Sequence, residues 1–150
     1  MQEELKINFE TLLSFTKALI KLAQIDNVIP EEKEYIKNFF EEVSKELNVN
    51  VDFEKTFKDL ENQNINDEDI KNLSSSEEIK EYFLKTCIFL ACVDYFSQNE
   101  KTFIKNIAEK LNFNNLDKLV KDVQNELLKN FENVTIFKDS LDKVKSSISI

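Results

Sequence analysis

The chain contains no glycine, histidine, arginine or tryptophan, and its one proline is Pro30. Without glycine there is no phosphate-cradling loop and little of the punctuation that hairpins require, so helices are favoured over sheets. Without histidine the commonest general base and zinc ligand is missing, and without arginine no guanidinium can clamp an anion. A carboxylate pair could still catalyse, but no pattern sets two acids across a cleft, so the expectation is a protein that is not an enzyme. The basic residues are all lysine and the net charge is −9, which opposes tracking of phosphates and leaves nucleic acid outside the expected partners. An acidic surface suits cations, basic protein segments or plain solubility, the last being the commonest use.

Cysteine is scarce as well, with only Cys87 and Cys92. In a helix, residues five apart are separated by about 7.5 Å along the axis and about 140° around it, so these two should not pair. They are expected to be reduced, buried and to behave as small hydrophobes. The longest apolar run, the seven residues from Cys87 to Val93, is too short for a bilayer. Met1-Gln2-Glu3-Glu4 carries acid where a secretory leader carries base. The expectation is a cytoplasmic chain without direct membrane insertion.

Apolar residues make up 41% of the 150 residues and include 13 Phe, enough for one core, so residues 1–150 are read as a single domain. They recur at three- and four-residue spacing. This predicts a helix over about 3–25, a second from Pro30 to about Leu47, and short helices capped by Asp52 and by Asn66 or Asp67. Ser75 and Glu78 stand in capping-box spacing before a helix over about 77–93. Further helices are expected over about 98–111 and after Asn114 or Asn115, with a stripe from Leu116 to Phe131. Beyond Asn133, the weakly amphipathic Leu141, Val144 and Ile148 follow.

Shifting the chain by 68 residues lays 14–41 on 82–109 without a gap. Twelve of the 28 positions are then identical, including Phe15/Phe83, Lys17/Lys85, Asp26/Asp94 and Glu32/Glu100. Apolar periodicity alone would not align the acids. The chain therefore reads as a compact all-α helical bundle of two pseudo-repeated helix-turn-helix units, each with an acidic turn.

The turns read Ala23-Gln24-Ile25-Asp26-Asn27-Val28-Ile29-Pro30-Glu31-Glu32 and Ala91-Cys92-Val93-Asp94-Tyr95-Phe96-Ser97-Gln98-Asn99-Glu100. Over roughly residues 12–113 the chain resembles the TerB-like family, associated with tellurite resistance and stress responses. Its members carry paired alanine–aspartate–glycine turns, each followed by a Glu-led helix. The family's Gly after the Asp is Asn27 in one turn and Tyr95 in the other. Asn tolerates a left-handed backbone, whereas Tyr would be strained, so the second turn is expected to take a different path.

The resemblance implies a non-enzymatic protein-interaction or stress-response module. Asp26, Glu32, Asp94 and Glu100 are the candidate ligands of a divalent cation, calcium or magnesium, and no other cofactor is expected. The same acids also have a plain structural use, because a carboxylate beside a helix N-terminus stabilises it by ~0.3–1 kcal/mol. A metal-independent helical adaptor is the alternative. Tyr95 and Phe96 are either a partner contact or a staple folded onto the helix near Gln98.

Overall fold

The computed structural model describes residues 7–93 and 96–131. Among these residues the chain forms seven helices and no strand: α1 (Phe9–Gln24), α2 (Pro30–Glu46), α3 (Phe53–Glu61), α4 (Asp67–Leu73), α5 (Glu77–Ala91), α6 (Gln98–Lys110) and α7 (Leu116–Phe131). No helix among the described residues is long and apolar enough to cross a membrane.

Helices α1, α3, α4, α5 and α6 start where a side chain satisfies an orphan amide. Asn8 accepts from the Thr11 N–H at 2.8 Å and thereby sets the start of α1 at Phe9 rather than near Glu3. Asp52 caps α3, accepting from the Lys55 N–H. In α4, Asn66 and Asp69 exchange reciprocal bonds of 2.9 and 3.0 Å, a capping box whose acid has a second use described below. At α5 the cap is Ser76, which accepts from the Ile79 N–H at 3.1 Å. The neighbouring Ser75 instead donates back to the Asn72 carbonyl, so the box expected from Ser75 and Glu78 does not form there.

Helix ends are closed without glycine. Asn48 and Asn112 both take φ of 57°, the left-handed conformation that glycine usually supplies. After each, the chain makes the two reversed bonds of a Schellman motif. These are Val49 N–H to Ser44 O and Asn48 N–H to Lys45 O behind α2, then Phe113 N–H to Ala108 O and Asn112 N–H to Glu109 O behind α6.

Helix α1 is the centre of the molecule. It touches α2, α3, α4 and α5, and Leu12, Phe15, Ala18, Leu19, Ile20 and Leu22 along it are fully buried. Removing such a side chain from water stabilises the fold by about 1.5–3 kcal/mol each for the larger residues, before the entropy of ordering is subtracted. α5 is the second buried helix, packed on α1, α2, α4, α6 and α7 through Phe83, Leu84, Cys87 and Ile88. It ends at Ala91, two residues short of the expected Val93. Cys92 becomes its C-cap and is only partly buried, whereas Cys87 is fully buried, and both are free thiols. The expected tail stripe, Leu141, Val144 and Ile148, lies outside the described residues.

Candidate functional site

The two acidic turns follow the central helices α1 and α5. In the first, Asn27 turns the chain with φ of 68°, as an Asn at a glycine position can, and Asp26 beside it is exposed. Pro30 then takes the first position of α2, where its missing N–H costs nothing. Glu32 reaches back to accept from the Ile29 N–H at 3.2 Å. Ile29 has no side-chain acceptor, so only this returning half of a capping box is present. Glu32 is 5% exposed.

In the second turn the box is complete. Ser97 accepts from the Glu100 N–H at 3.2 Å, and Glu100 accepts from the Ser97 N–H at 2.9 Å. Phe96 is fully buried, and the Lys101 ammonium lies 5.6 Å from its ring centroid. Phe96 thus folds back on the first turn of α6, a staple in which a cation over the ring replaces the usual apolar partner. Asp94 and Tyr95 lie outside the described residues.

The acids of the two turns share one field. Glu100 is 3% exposed, and its carboxyl is pushed up to about 7. Burial is the largest cause, and the negative charges of Asp26 and Glu32 push in the same direction against hydrogen bonding with Ser97. Of the four candidate ligands, the structure therefore brings Asp26, Glu32 and Glu100 into one neighbourhood and gives Glu32 and Glu100 a helix-starting use. Among the described residues, no group of three or more acids or cysteines is arranged to hold a metal ion.

Two further features are absent from the sequence reading. One is a buried polar network at a groove of about 590 Å3 between α1, α3 and α4. Lys17, 5% exposed, donates to Asp69 Oδ2 at 2.8 Å, Ser14 donates to Asp69 Oδ1 at 2.8 Å, and Asn72 donates to Ser14 Oγ at 3.1 Å. Burial alone would raise the Asp69 carboxyl, but bonds from Lys17, Asn66 and Ser14 and the charge of Lys17 hold it below the usual carboxylate range. The signal was a lysine amid the buried residues of α1, which requires an acid partner from elsewhere in the chain.

The other feature is a groove of about 540 Å3 between α2, α5 and α7, walled by half-buried Tyr35, Phe39, Tyr82 and Phe89. Burial raises both tyrosine phenols above their ordinary value. The helical period alone assigns Tyr35 and Phe39 to a buried stripe. Comparison of the chain with family models, with curated proteins and with solved structures found no match.

Proposed function

We propose that this chain is a non-enzymatic, TerB-like helical module that works by binding a protein partner, in keeping with a role in a stress response. The observation that carries this reading is the aromatic groove between α2, α5 and α7. Four partly buried aromatic side chains line one concavity, and aromatic residues dominate the energetics of protein interfaces because they bury large area at small entropic cost. The non-catalytic part of the reading rests on composition, which supplies neither imidazole nor guanidinium. The two-unit part is supported by Phe15 and Phe83, matched by the 68-residue shift and in mutual contact in the core. The test is a photo-crosslinking side chain placed at Phe89 or, as control, at exposed Glu109, in the full chain in cells. A discrete adduct from Phe89 alone is expected; adducts from neither position would overturn the reading.

A second reading is favoured by Glu100. A buried carboxyl facing two other acids is a place where a divalent cation gains more than it would at an isolated acid, so Asp26, Glu32, Asp94 and Glu100 are proposed as its ligands. Calorimetry with calcium and magnesium tests it. Specific heat, and a metal-dependent rise in Tm that the Asp26→Asn/Asp94→Asn variant loses, are expected. No such rise at millimolar metal would leave the metal-independent adaptor.

A further inference from the structure

The groove between α2, α5 and α7 is uneven in charge. On its α7 side the Lys85 ammonium lies 6.0 Å from the Phe89 ring centroid and 3.4 Å from the Glu126 carboxylate, so the groove's own cation is already engaged. On its α2 side, Glu42 and, one turn on, Glu46 are exposed and make no ion pair with any described residue. Their charges reach the aromatic wall. The Tyr82 phenol is raised by burial and then by Glu46 and Glu42. Phe39 and Tyr82 meet there edge to face, with centroids 6.2 Å apart.

Two carboxylates, Glu42 and Glu126, against one ammonium line these aromatic faces, with Glu46 one turn beyond Glu42, and they match the needs of a lysine or arginine side chain. Its aliphatic stem packs on the rings, its cation is attracted to their π faces, and its charge meets a carboxylate at the rim. Lys85, held between Phe89 and Glu126, is an example of this arrangement within the chain itself. An anionic partner would meet uncompensated repulsion from Glu42 and Glu46.

We propose that this groove docks a basic segment of a protein partner, seating lysine or arginine side chains on Phe39 and Tyr82 with their charged ends against Glu42 and Glu46. The inference rests on the protein-binding reading and adds the partner's charge and the register of its contact.

The experiment titrates the full chain, isotopically labelled for amide resonances, with an amphipathic Leu/Lys helical peptide and with its Leu/Glu counterpart. The Leu/Lys peptide should shift amides around Phe39, Tyr82 and Phe89. Glu42→Lys/Glu46→Lys should weaken it by roughly tenfold or more, the loss expected of two close charge pairs. Glu10→Lys/Glu109→Lys makes the same change in net charge at exposed sites away from this groove and should leave affinity within roughly twofold. All four positions are exposed, so neither variant threatens the core. Equal weakening by both variants, or shifts centred elsewhere, would overturn the inference. Preferential binding of the Leu/Glu peptide in the groove would overturn the basic partner while leaving the protein-binding reading in place. Binding of neither peptide would overturn both.

Discussion

Phe15 of α1 and Phe83 of α5 meet edge to face in the core, with ring centroids 5.1 Å apart and planes at 89°. Both are fully buried, and Phe15 also stacks on Phe39 at 5.3 Å. The contact joins α1 to α5 at two positions that the 68-residue shift of the sequence aligns. Phe15→Ala or Phe83→Ala should each destabilise the fold by about 3–5 kcal/mol in urea unfolding. The double variant should show a coupling of about 0.5–1.5 kcal/mol. Strict additivity would mean that the rings do not interact.

The Lys17–Asp69 pair ties α1 to α4, and both side chains are under 10% exposed. Asp69→Ala strands a buried ammonium and should cost about 3–5 kcal/mol. Lys17→Met/Asp69→Asn, which removes both charges but keeps an acceptor for Ser14 and the Asn66 N–H, should recover most of that loss. The carboxyl is depressed, so its contribution is present above its ordinary pKa of 3.8 and lost as pH falls through the lower folded value. Acid unfolding of the parent below pH 4 should therefore be steeper than that of the double variant.

Glu100 behaves in the opposite sense. Its folded carboxyl titrates near 7 against an ordinary 4.5, so the native chain binds this proton more tightly than the unfolded one. Its stabilising contribution is complete below pH 4.5 and is lost as pH rises to about 7. With a chelator present, urea midpoints of the parent should fall across that window. Glu100→Gln, which can still accept from the Ser97 N–H, should flatten the fall. An unchanged profile in the variant would place the titration elsewhere.

Asn48 and Asn112 hold left-handed backbone that a β-carbon disfavours. Asn48→Ala and Asn112→Ala should each lower stability by about 1 kcal/mol, whereas the Gly variants should match or exceed the parent. Thermal melts of the four variants check this. Equal effects of Ala and Gly would show that the conformation carries no cost.

Much of the fold was written in local signals. Asp52 sits at its expected cap, Asn66 rather than Asp67 takes the cap of α4, and Ile36, Phe40 and Val43 recur on the buried face of α2. Boundaries drifted where two local solutions competed. Asn8 started α1 later than hydrophobicity suggested, and Ser76 displaced Ser75 because only one of two adjacent serines can face the Ile79 amide. In the candidate site, Glu32 and Glu100 were legible as acids at helix starts, since that role depends on three-residue spacing within one turn.

The sequence by itself determined the helical class, the order of the helices, some of their caps and the two acidic turns. All of these are set by interactions within a few residues along the chain. Only the tertiary structure decided that Asp26, Glu32 and Glu100 share one field, that Lys17 finds Asp69 across 52 residues, and that Tyr35, Phe39, Tyr82 and Phe89 line a groove. Helical periodicity reports which face of a helix turns inward. How completely a neighbouring helix covers that face depends on how α2, α5 and α7 pack, and that information is spread over the whole chain.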